Sequence, residues 1–273
     1  MWNRSLEKCA SLVEDGASIA EDVEEVFRRA HTVLTMLADG AAIDAVLGRG
    51  TDVFEQRVRN HLIVHMGTTS SEYSKSLGAD IQAVGGSYAE APVSGSREAA
   101  VRGRLVVMVA GEPEDVSELR HLLGPIGQDV IGCGPIPNAS NMKLAINVFL
   151  ITMVTGLAES FHFAEQQSLN LNTFLALVDA SPMASEVSRV KAEKLVGRDF
   201  EAQAAMTDVL KNNELIAAAA RAAGIETPLL DASHALYREA VALGHGNADM
   251  AAVIRAIEAR SGVSEFKAGP DAL

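Results

Sequence analysis

The 273 residues of the chain are 48% hydrophobic, enough to form a sizeable core in one large domain or two smaller ones. A formal net charge of −13 argues against general binding to nucleic acids or to anionic membrane surfaces. The two cysteines, Cys9 and Cys133, are too few for a disulfide framework and lack metal-ligand spacing, so we expect a cytoplasmic protein without a metal site.

The first half of the chain alternates short apolar runs with amphipathic segments. The apolar runs predict strands at residues 31–37, 62–65, 81–84, 88–91, 105–110 and 129–131. Segments with helical periodicity lie between them, at residues 6–14, 23–29, 53–59, 70–77 and 113–123. This alternation is typical of α/β layers around a mostly parallel sheet.

Glycines and prolines over residues 132–137 separate this half from a second one in which no strands are predicted. Helical periodicity continues at residues 138–167, 171–180, 183–195, 203–223, 229–243 and 249–259. We therefore predict an α/β domain at 1–136, an all-helical domain at 137–262 and a tail at 263–273. The Gly-Cys-Gly at 132–134 superficially resembles a dinucleotide-binding turn, but no βαβ unit follows it, so we interpret it as a hinge.

Lys143 and Asn147 are four residues apart near the start of the helix predicted at 138–167, so both lie on one helical face. An ammonium group that exchanges a proton, beside an amide that orients it, suits chemistry at a carbonyl or hydroxyl oxygen. From these residues alone, a solvated lysine near a helix start is the simpler interpretation. The uncharged stretch at 144–158 is shorter than the ~20 residues needed to span a bilayer, which predicts a core helix.

Residues 1–5 look like the end of a strand that runs into a polar turn. In dinucleotide-binding folds such a strand end contacts the adenosine ribose, and an arginine there accommodates the 2′-phosphate of NADP. Arg4, flanked by Asn3 and Ser5, fits that role, although a solvated basic N-terminus is the alternative. The glycine fingerprint that precedes this strand in such folds is not in the sequence, so we expect the first βα unit to be missing.

Six short motifs follow one another along almost the whole chain. They are Trp2-Asn3-Arg4-Ser5, Thr35-Met36-Leu37-Ala38-Asp39, Met66-Gly67-Thr68-Thr69, Glu90-Ala91-Pro92-Val93-Ser94-Gly95-Ser96, Lys143 with Asn147, and Lys211-Asn212-Asn213-Glu214-Leu215. Each motif is a weak signal, but together and in this order they resemble the β-hydroxyacid dehydrogenases. This family contains 3-hydroxyisobutyrate dehydrogenase and the glyoxylate or succinic semialdehyde reductases.

The resemblance implies a Rossmann-like parallel-sheet domain without its first βα unit, followed by an all-helical domain. It implies that Lys143 is the general acid/base and that Asn147 is its partner. Cofactor contacts are expected from Asn3, Arg4, Ser5, Met36, Leu37, Ala38, Thr68 and Lys211, and substrate contacts from Ser94, Gly95 and Ser96. The cofactor is expected to be NADP rather than NAD, the substrate a small carboxylate- or carbonyl-containing compound, and the assembly a homodimer or homotetramer.

Without the resemblance, an ordinary tight turn after a strand is the simpler interpretation of residues 94–96, and a solvated helical lysine is a reasonable interpretation of Lys211. The chain also departs from the family pattern: Asn212 replaces an aspartate, and Ser96 replaces the second glycine of the substrate motif. Gly67, Ser71 and Ala38 replace a serine and two prolines in the cofactor loops, which predicts less rigid loops.

Two alternatives to a hydroxyacid dehydrogenase or aldehyde reductase stay open. An imine reductase shares this architecture, although such enzymes usually carry another residue in place of Lys143. A catalytically silent dimerisation or binding module is favoured by the missing glycine fingerprint.

Overall fold

The structure is a computed structural model and describes residues 1–262, so the predicted tail at 263–273 lies outside the described residues. The chain forms two compact units, Met1–Lys143 and a second that begins at Leu144. One continuous helix, Asn138–Gln166, runs through this division. The domain boundary near residue 136 stays a prediction.

The first unit alternates strands and helices. After a 3₁₀ helix at Leu6–Cys9, its elements are α1 (Ala10–Glu14), α2 (Val23–Arg29), β1 (Thr32–Thr35), α3 (Gly40–Leu47), α4 (Val53–Val58), β2 (Leu62–His65), α5 (Ser71–Ala83), β3 (Ser87–Glu90), β4 (Val93–Ser94), α6 (Arg97–Val101), β5 (Leu105–Ala110), α7 (Pro113–Leu123), β6 (Gly127–Gly134) and the first turn of α8 (Asn138–Gln166).

The sheet is mixed. Strands β1, β2 and β3 are parallel neighbours, and β5 runs parallel to β6 but antiparallel to β3 and β4. The register pairs Thr35 with His65 and His65 with Glu90, so the carboxyl ends of β1, β2 and β3 meet at one edge. Successive residues of β2 pack on opposite faces, because Ile63 belongs to one buried cluster and Val64 to another. Helices therefore cover both faces, as predicted for an α/β layer.

The strand predicted at residues 81–84 is wrong, because Ile81 lies in the last turns of α5. The buried face of α5 includes Ser71, Ser74 and Gly78, so small residues conceal its helical periodicity in the sequence. Helices α3 and α6 and the short strand β4 were not predicted. Residues 1–5 do not form the expected strand end in the described structure, since the amide N–H of Ser5 bonds locally to the side chain of Asn3.

The second unit is all-helical, as predicted. It contains the rest of α8, α9 (Leu171–Ala180), α10 (Glu186–Gly197), α11 (Met206–Ala222), α12 (Pro228–Ala240), a π-helical turn at Val241–His245, a 3₁₀ helix at Met250–Val253 and α13 (Ile254–Arg260). Its core packs Ile151, Val154 and Phe161 of α8 against α12 and the 3₁₀ helix. By length and composition alone α8 is apolar enough to cross a membrane. Since these α8 side chains lie in the core of the unit, we interpret α8 as a core helix.

Candidate active site

The loops that follow β1 and β2 bring four of the predicted cofactor residues to one edge of the sheet. Met36, Leu37 and Ala38 follow β1, and Thr68 follows the parallel neighbour β2. Gly67 permits a close approach of the two loops, because a Cβ at this position would lie 3.1 Å from the carbonyl oxygen of Leu37. Nucleotides bind at such carboxyl-end loops in open α/β sheets, so this edge suits a dinucleotide.

A buried carboxylate holds the start of α8 against the sheet. Glu90, at the end of β3, is 0% exposed. It accepts hydrogen bonds from the backbone N–H groups of Ala139 (3.0 Å) and Ser140 (3.1 Å) and from the hydroxyl of Ser140 (2.6 Å). The hydroxyl of Ser74 on α5 donates a further hydrogen bond to this carboxylate. The first N–H groups of a helix lack acceptors within the helix, and the carboxylate of Glu90 is the acceptor for two of them.

Two more contacts within the first unit hold the same turn of α8. The side-chain amide of Asn138 donates to the backbone carbonyl of Cys133 (3.0 Å), the next-to-last residue of β6. The hydroxyl of Ser71, at the start of α5, donates to the side-chain carbonyl of Asn141. Ser71, which replaces a proline of the family pattern, therefore adds a contact between α5 and α8.

Lys143 lies one turn along α8 from this anchor and is half-buried. Burial lowers the pKa of its ammonium group to about 8, because the charged form loses hydration. Among residues 1–262 no ion pair of Lys143 is found that would oppose this effect. With a pKa of about 8, the ammonium form predominates at pH 7 and the neutral amine becomes accessible within about one pH unit, as proton transfer requires.

Asn147 lies one helical turn beyond Lys143 and is 1% exposed. Neither its side-chain nitrogen nor its side-chain oxygen has a hydrogen-bond partner within the described part of the chain. Buried amides of this kind are almost always hydrogen-bonded, so Asn147 has an unused donor and an unused acceptor for another molecule.

Ser94, Gly95 and Ser96 form the turn between β4 and α6. Ser94 pairs with Val106 of β5, and Ser96 occupies the N-cap position of α6 without a side-chain cap hydrogen bond. Gly95 has φ +136°, and a Cβ there would lie 2.8 Å from Leu105. The turn therefore requires glycine at its centre. Backbone N–H groups in turns of small residues are suited to binding an anion.

The other predicted cofactor residues lie elsewhere in the chain. Asn3, Arg4 and Ser5 precede the 3₁₀ helix at Leu6–Cys9, and the side chain of Arg4 is exposed. Lys211 lies on α11 in the second unit and is half-buried. Within the first unit the structure thus places Met36, Leu37, Ala38 and Thr68 at one sheet edge.

Sequence analysis did not assign a role to Glu90, Ser74 or Ser140. The signal available was the glutamate at the end of a buried strand, since an unpaired buried carboxylate is rare. The two serines had no signal, because their burial depends on contacts with Glu90 from distant parts of the chain.

In the second unit, ligating atoms of His162, Glu165 and Glu258 lie within 4.8 Å of one another, a spacing compatible with a metal ion. However, Arg198 donates to both carboxylates and Arg255 bonds to Glu258 as well. The two negative charges are therefore already balanced by two guanidinium groups, and we interpret the cluster as an ion-pair network.

Two family models match the two halves of the chain. Residues 1–134 match the NAD binding domain of 6-phosphogluconate dehydrogenase. Residues 138–257 match the NAD-binding model of NADP-dependent 3-hydroxyisobutyrate dehydrogenase. The chain therefore contains NAD(P)-binding domains.

Three curated relatives match almost the whole of this chain. Glyoxylate/succinic semialdehyde reductase 1 of Arabidopsis thaliana is 29% identical, over 94% of this chain and 89% of the relative. The uncharacterized oxidoreductase YfjR of Bacillus subtilis is 30% identical, over 94% of this chain and 91% of the relative. The cytokine-like nuclear factor N-PAC of Aedes aegypti is 28% identical over 93% of this chain, which spans only 45% of that protein.

Solved structures show the same fold. A 3-hydroxyisobutyrate dehydrogenase from Salmonella typhimurium superposes with a TM-score of 0.84 at 23% identity, covering 93% of this chain and 90% of that structure. Psf3 in complex with NADP⁺ gives a TM-score of 0.84 at 22% identity, with coverage of 93% and 90%. An imine reductase from Pseudomonas sp. gives 0.61 at 21% identity, with coverage of 94% and 89%.

The sheet with its carboxyl-end loops, the helical second unit and the half-buried lysine of α8 all agree with these matches. The chain belongs to the β-hydroxyacid dehydrogenase family, the NAD(P)-dependent dehydrogenases and reductases that include 3-hydroxyisobutyrate dehydrogenase and the glyoxylate/succinic semialdehyde reductases.

Proposed function

We propose that this protein is an NADP-dependent oxidoreductase that interconverts a small β-hydroxyacid and the corresponding carbonyl compound, or reduces a small aldehyde or keto acid. The observation that carries the proposal is Lys143, a half-buried lysine whose pKa is lowered to about 8 and which has no ion-pair partner among the described residues. The nicotinamide cofactor supplies or accepts the hydride when bound. The protein must therefore supply the proton.

Lys143 would donate a proton to the carbonyl oxygen during reduction and accept it from the hydroxyl during oxidation. The amide of Asn147, buried without partners one turn away, would hold the substrate oxygen or the ammonium group in register. Because the pKa of Lys143 is about 8, reduction should slow as the pH rises above this value. Oxidation needs the neutral amine and should accelerate over the same pH range.

The cofactor contacts are proposed at the sheet edge formed by Met36, Leu37, Ala38 and Thr68, with additional contacts from Asn3, Arg4, Ser5 and Lys211. The choice of NADP over NAD rests on Arg4, whose exposed guanidinium group offers a planar donor set to a 2′-phosphate. The turn at Ser94, Gly95 and Ser96 would bind a substrate carboxylate through its backbone N–H groups.

We also propose a cytoplasmic homodimer or homotetramer. Self-association is supported by Phe149 and Phe163 of α8, which are 70% and 63% exposed.

Imine reduction stays a second candidate on the basis of the fold alone. The imine reductase from Pseudomonas sp. superposes with a TM-score of 0.61 at 21% identity, compared with 0.84 for the 3-hydroxyisobutyrate dehydrogenase from Salmonella typhimurium. A binding module without catalysis is the other alternative, because N-PAC relatives carry a name that specifies no enzymatic activity. An imine reductase predicts that Lys143 is dispensable for turnover, whereas a binding module without catalysis predicts no turnover with or without Lys143.

The decisive experiment replaces Lys143 with methionine in the 273-residue protein and measures reduction of glyoxylate and succinic semialdehyde with NADPH. Turnover should fall by about 10²–10⁴-fold while the KM for NADPH changes little, since only proton transfer is removed. Lys75→Met is the matched control, because Lys75 is an exposed lysine of α5. If Lys143→Met and Lys75→Met are equally active, the proposed mechanism is wrong.

A further inference from the structure

The carboxylate of Glu90 connects three elements of the first unit. One of its oxygens, Oε1, accepts from the hydroxyls of Ser74 on α5 and Ser140 on α8. The other oxygen, Oε2, accepts from the backbone N–H groups of Ala139 and Ser140. Each carboxylate oxygen thus accepts two hydrogen bonds. Because all four donors are uncharged, none of these bonds is an ion pair. The hydroxyl of Tyr88 bonds to Ser74 at 2.8 Å and extends the network along β3.

These bonds fix the first turn of α8 in position. A carboxylate at a helix N-terminus satisfies free N–H groups and interacts favourably with the helix dipole. Ser140 precedes Lys143 by three residues, which is less than one turn of the helix. Lys143 has no ion-pair partner within residues 1–262, so the backbone of α8 is what sets the place of its ammonium group.

We propose that Glu90 is a positioning residue for Lys143: its buried carboxylate fixes the start of α8 and thereby directs the lysine to the reacting oxygen. Glu90 itself does not touch the substrate or exchange protons. This inference rests on the proposed role of Lys143, and it adds a residue of β3 to the machinery of that reaction.

The pattern of donors gives two substitutions with opposite expected results. In Glu90→Gln the side-chain nitrogen can take the place of Oε1 and donate to the two serine hydroxyls, while the remaining oxygen accepts from both N–H groups. The anchor of α8 is then preserved. In Glu90→Leu all four donors lose their partner, and the turn that carries Lys143 is released.

We therefore expect kcat to fall by about 10–100-fold in Glu90→Leu, since small misplacements of a catalytic group have effects of this size. The KM for NADPH should stay within about twofold, and Glu90→Gln should restore kcat to within about threefold of the natural protein. A loss of kcat in Glu90→Gln as large as in Glu90→Leu would overturn the proposal. It would show that keeping the hydrogen bonds to the start of α8 does not preserve kcat.

A double-mutant cycle separates positioning from a general loss of stability. If Glu90 acts through Lys143, Glu90→Leu should have little additional effect in a Lys143→Met background, where no ammonium group is left to position. If Glu90 only stabilises the unit, the two effects should multiply, and the proposal fails. Retention of activity by Lys143→Met would instead contradict the proposed function, whatever Glu90→Leu does.

A milder pair of variants covers the case in which Glu90→Leu does not fold. Ser140→Ala removes one of the four hydrogen bonds and leaves the two N–H donors in place, so kcat should fall by about 3–10-fold. Tyr88→Phe removes a hydroxyl of the same network that bonds to Ser74 rather than to Glu90, and kcat should change by less than about twofold. Equal kcat values for the two variants would overturn the proposal.

Discussion

Two lysines, one in each unit, have opposite surroundings. Lys143 of the first unit is half-buried and has no ion-pair partner among the described residues, and burial lowers its pKa to about 8. Lys191 of the second unit is also buried, but its ammonium group lies 2.8 and 2.9 Å from the two carboxylate oxygens of Asp249. Burial alone would raise the pKa of Asp249, but hydrogen bonding to Lys191 lowers it instead.

Burial lowers the pKa of both lysines, but the hydrogen bonds and the charge of Asp249 oppose the shift at Lys191, whereas nothing among residues 1–262 opposes it at Lys143. Asp249 is 0% exposed and also accepts from the backbone N–H groups of Gln203, Ala204 and Ala251, so Lys191 is part of a fully satisfied structural network. Near Lys143 the buried carboxylate is Glu90, which bonds to uncharged donors of the helix start. In the first unit Glu90 therefore stabilises the start of α8 without pairing with Lys143. In the second unit Lys191 is paired with Asp249, and the loss of either partner would leave a buried charge unpaired.

The largest effect is expected when the paired lysine is removed. Lys191→Met leaves Asp249 buried without its cation and should lower the free energy of unfolding by about 3–5 kcal/mol. Urea denaturation followed by circular dichroism measures this loss. Lys194→Met is the matched control on the same helix. Lys194 is also buried and donates to the carbonyl of Glu201 at 2.8 Å, but its ion-pair partner Asp199 is exposed, so the loss should be smaller, about 1–2 kcal/mol. Equal losses would show that the two lysines of α10 do not differ as described.

The second prediction concerns His65, a buried ionisable side chain, and the dependence of stability on pH. His65 is 0% exposed, and burial lowers its pKa to about 4 from 6.5. The unfolded chain therefore binds a proton that the folded chain does not bind between pH 6.5 and 4. Stability should fall by about 2–3 kcal/mol as the pH decreases through this window. His65→Gln should flatten that dependence, whereas His121→Gln, at an exposed histidine, should leave it unchanged.

The smallest of these effects should have the opposite sign to that of Lys191→Met. The pKa of Lys143 is lowered in the folded state, so the cost of keeping it charged is fully present below pH 8 and disappears as the pH rises towards 10.5. Lys143→Met should therefore stabilise the protein by about 1–2 kcal/mol at pH 7, allowing for partial exposure of the lysine. The gain should shrink at pH 10. Denaturation at both pH values measures it, and destabilisation at pH 7 would contradict the comparison.

Strands and helices were predictable where their signals are local. The runs at 62–65 and 105–110 are apolar and rich in β-branched residues, and both are strands in the structure. Helix α7 was predicted with its bounds, helped by the proline in its first turn. The prediction ended helix α5 at residue 77, because the buried Gly78 interrupts the apolar pattern of its buried face and residues 81–84 were assigned to a strand.

The sequence by itself determined the fold class, the family and the spacing of Lys143 and Asn147, because apolar periodicity and motif order are properties of neighbouring residues. Only the tertiary structure decided that Glu90 meets Ser140, 50 residues away, and that Lys143 has no ion-pair partner in the described part of the chain while Lys191 has one. Burial and charge pairing set the chemistry of a lysine, and both depend on which distant side chains the fold brings together.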